Sequence, residues 1–147
     1  MTRDELVAQI EGAYAAWNAH DKEAIASFYA SDATVRDSAD PDNPAVGSEA
    51  IAARAAAILS AFSDAKLEMR SISIDGDRVT HEWLFTGTHD GEFLGVPATG
   101  RPTQNMGASL ERVNDEGLTT EETAYWDAAI FLRQVGVLPA PAATSTA

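Results

Sequence analysis

Cysteine is absent from this chain of 147 residues. That excludes disulfide staples, thiolate nucleophiles and zinc–cysteine sites, and it suits a reducing compartment, so a cytoplasmic location is expected. Basic residues are scarce: 10 Lys and Arg stand against 23 Asp and Glu, for a net charge of −13. A field of that sign repels phosphate backbones and anionic lipid surfaces, so neither nucleic acid nor membrane is expected as a partner. No run approaches the roughly 18 apolar residues of a membrane span, and the opening Met-Thr-Arg-Asp-Glu is charged rather than signal-like. The 3 histidines are scattered along the chain, too far apart to argue a metal site. Glycine patterns of nucleotide-binding loops are missing, and neither metal nor cofactor is expected. What the chain does have is 45% hydrophobic residues, enough to bury the core of one domain.

The pattern along the chain is helical first and alternating later. Thr2 and Glu5 have capping-box spacing, and Leu6, Ile10, Tyr14 and Trp17 fall on one face of a helix over 3–19. Ile25, Phe28 and Tyr29 mark a second, short helix, followed by a short strand at 33–37. Residues 38–47 are loop by composition, and a third helix begins at Ser48 with Ile51, Ala55, Ile58 and Phe62 on its buried side. From 66 the period changes to two. Strands are expected at 66–74 and 79–89, joined by a hairpin at Asp75, Gly76 and Asp77, and again at 102–113 and 118–127, joined across 114–117. A last helix spans 128–135, and the tail, 139–147, is too poor in bulky apolar residues to pack and is expected to be disordered. The domain itself is 1–138. Helices followed by antiparallel strands give an α+β fold in which a twisted, cone-shaped sheet wraps around the three N-terminal helices and leaves a cavity.

Asp127, at the end of the last strand, is the candidate base. On a face shared with Tyr125 and Thr123 it would line the cavity, where desolvation raises a carboxyl pKa into the useful range. Its position just before Ala128 equally suits an N-cap, and both roles can hold together. If the 114–117 turn joins regularly paired strands, Val113 faces Leu118 and Gln104 lies opposite Asp127, with Met106 opposite Tyr125. Gln104 and Asn105 point to opposite sides of their strand, and Gln104 is the one expected in the pocket. His89 either donates to a substrate oxygen or anchors the loop over 90–100. His81 shares a face with Trp83 and Phe85. The expected lining is Tyr14, Trp17, Phe28, His81, Trp83, Phe93, Met106 and Tyr125, although each aromatic among them also fits plain core.

The opening AWNAHD at 16–21, the run GTHDGEFLGVPATGR at 87–101, Tyr125, Trp126 and Asp127, and LRQVG at 132–136 together resemble the SnoaL-like polyketide cyclase family of the nuclear-transport-factor-2-like superfold. The resemblance covers roughly residues 4–138. It implies a cone-shaped fold and ring closure by an aldol reaction without cofactor or metal, with Asp127 at the position of the proton-exchanging aspartate. Gln104 fits the place of a family glutamine, while Met106 stands where the aldol cyclases carry a histidine. The function it implies is acid–base chemistry of the cyclase, isomerase or lyase kind on a polyketide-like carbonyl compound. Asp127 would be the catalytic base, with Gln104 and His89 orienting the oxygen. The alternative is a non-catalytic small-molecule-binding or interaction domain of the same fold. An epoxide hydrolase would need an Asp–Arg–Asp cluster, and no arginine lies beside Asp127. Family members commonly dimerise through the outer sheet, so a C2 homodimer is expected. Thr80, Glu82, Leu84, Thr86 and Thr88, with Leu118, Thr120 and Ala124, are its expected surface.

Overall fold

Thr2 and Glu5 close the capping box expected of them. Glu5 N donates to Thr2 Oγ1 at 3.1 Å, and Thr2 N donates to Glu5 Oε2 at 2.7 Å. Helix α1 (Arg3–Asn18) follows, and Leu6, Ile10 and Tyr14, one turn apart, are buried together against Val79 of the sheet. The short α2 (Lys22–Ala26) is capped by Asp21. It ends before Phe28 and Tyr29, which leave the helix for strand β1 (Tyr29–Asp37). The expected loop carries a two-residue strand, β2 (Ala45–Val46), before α3 (Ser48–Ala61), on which Ile51 and Ala55 are buried. Then come β3 (Lys66–Asp75), β4 (Arg78–Thr88), β5 (Pro102–Val113), β6 (Thr119–Trp126) and α4 (Ala128–Gln134). This computed structural model describes residues 1–142. Of the tail expected to be disordered, 139–142 are exposed and without helix or strand, and the rest lies outside the described residues.

The strands make one six-stranded sheet in the order β2-β1-β6-β5-β4-β3. It is curved and unclosed, antiparallel except where β1 runs parallel to β6, so the fold is the expected α+β sheet around helices. Asp75 pairs with Arg78, leaving Gly76 and Asp77 as a two-residue hairpin loop, and Gly76 supplies the left-handed φ of 60°. No helix among the described residues is long and apolar enough to cross a membrane.

Two features of β5 and β6 decide where the functional side chains point. The first is register. Val113 pairs with Thr119, not Leu118, because Asn114 Oδ1 accepts from the amides of Glu116 and Leu118 and lengthens the turn. A bulge at Thr120 then moves the pairing one residue further, so that Arg112 meets Glu121 and Ala108 meets Tyr125. Asp127 is past the end of the strand, and the expected pairing of Gln104 with Asp127 and of Met106 with Tyr125 is replaced. The second is facing. His81, Trp83 and Phe85 of β4 pair with Ser109, Gly107 and Asn105 of β5. The inward face of β4 therefore carries the odd-numbered residues of β5 inward with it. Gly107 is required there, because a Cβ would lie 2.3 Å from the Trp83 ring that crosses it.

Candidate active site

The concave face of the sheet and helices α1 and α3 enclose a cavity of about 130 Å³. One side is apolar, built from Trp17, Phe28, Ile58, Phe62, Phe85 and Phe93. The opposite wall is polar. Glu111 of β5 and Glu122 of β6 are directly paired across their strands, so two buried carboxyl groups face the same space. His81 Nε2 lies 3.0 Å from Glu111 Oε2, and His81 Nδ1 lies 2.6 Å from the Tyr14 hydroxyl. Ser109 Oγ donates to Glu122 Oε2 at 2.8 Å, while Trp83 Nε1 donates to Ser109 at 3.2 Å. The Tyr29 hydroxyl donates to Glu122, and Thr119 Oγ1 donates to Glu111 at 3.4 Å. With neutral His81, the Tyr14 hydroxyl donates to Nδ1 and Nε2–H donates to Glu111. Protonation of the ring lets both nitrogens donate.

Burial pushes the Glu111 carboxyl up to about 7, and the charge of Glu122 pushes the same way, against the hydrogen bond and charge of His81. For His81, burial is the largest influence and pulls down. The hydrogen bond and charge of Glu111, with the charge of Glu122, outweigh it and leave the imidazole above its ordinary value. Burial, then the two carboxylates, hold the Tyr14 phenol well above its usual range. Tyr29 is raised likewise, by burial first and then by Glu122. Glu111 thus exchanges a proton near neutrality, and both phenols remain donors. Three of the residues in this wall are on different strands, which the sheet holds rigidly in place.

A second polar group lines the cavity two residues further along β1 from Val35, which pairs with Glu122. Asp37, at the end of β1, accepts from Arg54 Nη2 of α3 at 3.2 Å, from Trp126 Nε1 at 2.8 Å and from the Ala39 amide at 2.8 Å. All three side chains line the cavity.

The family description of SnoaL-like polyketide cyclases matches residues 8–135, nearly the whole of this fold. The chain belongs to that SnoaL-like family. Its structure is similar to that of AclR, a proposed hydroxylase from Streptomyces galilaeus, with 30% identity and a TM-score of 0.82 over 95% of this chain and 86% of that one. It is similar to IdmH, a proposed polyketide cyclase from Streptomyces antibioticus, at 29% identity and a TM-score of 0.75, covering 90% and 99% of the two chains. TsrD from Streptomyces laurentii, 24% identical, shares the fold at a TM-score of 0.83 over 94% of this chain and 99% of that one. Comparison with curated protein sequences gives no match. Membership places the chain among proteins of enzyme-like function.

In this SnoaL-like chain, Tyr14, Trp17, Phe28, His81, Trp83 and Phe93 are on the cavity wall. The other expected positions are elsewhere. Asp127 is exposed and caps α4, accepting from the Ala129 amide at 2.9 Å. Gln104 and Met106 face outward, Met106 being 75% exposed, and Tyr125 is 52% exposed on the same outer surface. Gln104 uses its backbone to hold the side chain of Gln134, which pins α4 to β5. His89 is wholly buried away from the cavity, edge-on to Phe131 at 5.2 Å. Its Nδ1 meets Thr99 Oγ1 at 2.9 Å, and its backbone accepts from Thr99 and Gly100, so it anchors the loop over 90–100. Replacing Asp127 with Ala should therefore cost about 1 kcal/mol of stability, the usual loss of an N-cap. Urea denaturation measures that cost, and a loss below a few tenths would contradict the capping role.

Glu111, Glu122, Asp37 and Arg54 are absent from the candidates drawn from sequence. Glu122 is misdirected by assigning the odd residues of β6 to the cavity. Glu111 was open to inference, since pairing β4 with β5 sets it on the face of His81. Asp37 and Arg54 come from distant elements, and nothing local to either announces the contact.

Proposed function

We propose that this SnoaL-like domain is an enzyme that moves a proton at a carbon next to a carbonyl group, using its own side chains as acid and base. One observation carries this reading: Glu111 lines the cavity, faces Glu122 directly and is hydrogen-bonded to His81. A carboxyl that titrates near neutrality is an effective base for a weakly acidic C–H, because both protonation states are available. In the forward step Glu111 carboxylate takes the α-proton and the electron pair of that C–H bond moves into the carbonyl, leaving an enolate oxygen. The Tyr14 and Tyr29 phenols, on the same wall and still protonated, are the donors available to that oxygen. Glu111 then returns the proton to a different carbon, which is isomerisation, or to the alkoxide formed when the enolate carbon attacks a second carbonyl, which is ring closure. Burial first, and then the neighbouring charge of Glu122, makes Glu111 basic. The names of AclR and IdmH, a hydroxylase and a cyclase by proposal, are compatible with carbonyl substrates of the polyketide kind. The test is solvent-deuterium exchange into the α-positions of 2-tetralone, followed by proton NMR, in wild type and Glu111→Gln.

The outer face of the sheet supports a proposed homodimer. Leu84 is directly opposite Met106, and Leu110 and Tyr125 lie exposed on the same surface. Ala124, expected there, is buried on the inner side instead, and Leu118, also expected there, precedes β6 and packs against the core around Ala33 and Val35. Sedimentation velocity at micromolar concentration should give twice the monomer mass, and Met106→Glu should shift it to monomer. A wild-type monomer would sink the assembly without touching the chemistry.

A further inference from the structure

Asn105 is 7% exposed and lines the cavity, and its Oδ1 is buried without a hydrogen-bond partner among the described residues. Such an orphan is uncommon, because an unpaired buried carbonyl costs stability that most folds do not forgo. Its neighbours explain why nothing in the protein completes it. Asn105 is paired with Phe85, and Phe62, Phe93 and Trp126 line the same part of the cavity. These are aromatic rings, and the one polar group among them, Trp126 Nε1, donates to Asp37.

We infer that Asn105 is a ligand-orienting residue whose amide oxygen accepts a hydrogen bond from a hydroxyl group on a flat, largely apolar ligand. The inference rests on the reading of this cavity as a small-molecule site and adds what that reading leaves open, the chemistry of the end of the ligand away from the carboxyl pair. A hydroxyl is the group that satisfies the amide in either orientation, since it donates to Oδ1 and equally accepts from Nδ2 after a flip of the amide. Aromatic walls favour a flat hydrocarbon body for the rest of the molecule. Strand geometry supplies a ruler. Asn105 and Glu111 are on one face of β5, six residues apart, or about 20 Å along the strand at roughly 3.4 Å per residue. Ser109, four residues away, is about 14 Å off along the strand by the same measure. The group that meets Asn105 is therefore at a different part of the ligand from the carbonyl that meets Glu111.

The test compares 2-naphthol with 2-methylnaphthalene, which have the same shape and differ in one hydroxyl, by titrating tryptophan fluorescence. Wild type should bind 2-naphthol about tenfold more tightly, the usual return of one buried hydrogen bond. Asn105→Leu, close in volume, should bring the ratio to about one and keep the affinity for 2-methylnaphthalene. Its melting temperature without ligand should be equal to or above that of wild type, since the orphan carbonyl is gone. A purely structural asparagine would move the other way on both counts. Asn105→Ala, which adds no bulk, gives the same comparison if Asn105→Leu does not fold. A wild-type ratio near one, or a ratio that survives in both variants, overturns the inference. If that happens while 2-tetralone still exchanges its α-protons, Asn105 fails and the acid–base reading stands. If neither naphthalene compound binds wild type, the cavity reading falls and the inference falls with it.

Discussion

Glu111→Gln should lower the enzyme-catalysed exchange of 2-tetralone α-protons by about 10²–10⁴, the range that a positioned general base contributes. Glutamine keeps the shape of the side chain and can still meet His81 and Thr119, so the cavity survives while the proton acceptor is lost. The loss should appear in the rate at saturating ketone rather than in binding, because a proton acceptor acts only as the C–H bond breaks. Glu122→Gln tests the other half of the pair. Removing that charge takes away a cause of the raised Glu111 pKa, so the exchange rate should fall less and its pH profile should shift to lower pH. Exchange by wild type that Glu111→Gln matches would end the assignment of Glu111 as base. Binding of the ketone with no acceleration of exchange would instead favour the binding-domain alternative.

Stability should fall as pH rises from 5 to 8.5, a window in which ordinary surface carboxylates are already ionised and contribute no titration of their own. The folded state raises the Glu111 carboxyl from 4.5 to about 7. The folded domain therefore holds this proton more tightly than the unfolded chain does. That contribution is complete below the unfolded pKa of 4.5 and is lost as pH rises through the folded value of about 7. Its size is on the order of a few kcal/mol, since each pKa unit corresponds to about 1.36 kcal/mol. His81 is raised against the pull of burial by its hydrogen bond to Glu111 and by the charges of Glu111 and Glu122, so it titrates with Glu111 as one pair whose stabilising effect is likewise lost as pH rises. Groups with lowered pKa, Glu5, Asp64 and Asp90, act in the opposite sense. They lose their stabilising effect only as pH falls below the ordinary carboxylate range, outside this window. Urea denaturation at the two pH values should show the decline in wild type. Glu111→Gln, a permanent mimic of the protonated acid, should flatten it to about 1 kcal/mol or less. A wild-type stability that holds level or rises between pH 5 and 8.5 would contradict the buried carboxyl pair.

Apart from the two-residue β2 and the early start of β1, the sequence by itself determined the elements, their order and the family, because local spacing and capping mark most of them. Capping at Thr2, the one-turn spacing of Leu6, Ile10 and Tyr14, and the Gly76 hairpin need no knowledge of distant residues. It also determined the lining contributed by α1 and β4, where apolar periodicity and inward direction agree. On β5 the two part company. Its inward residues are Thr103, Asn105, Gly107, Ser109 and Glu111, and its outward ones include Met106 and Leu110. A rule that sends apolar residues inward reads this strand upside down, because the sheet encloses a polar-walled cavity and turns an apolar surface to the outside. A different step puts Gln104 and Asp127 at the site, the choice of the odd-numbered face of β6 and of the β5 residue expected opposite Asp127, where the structure has Glu122 and Asn105 facing inward. Only tertiary structure could decide it. The inward direction of β5 is inherited from Trp83 through strand pairing, and that of β6 depends on one extra residue at Thr120. The meeting of Glu111 with Glu122 and His81, and of Asp37 with Arg54, joins residues far apart in the chain. No local pattern encodes such contacts, because their energy exists only once the sheet has formed.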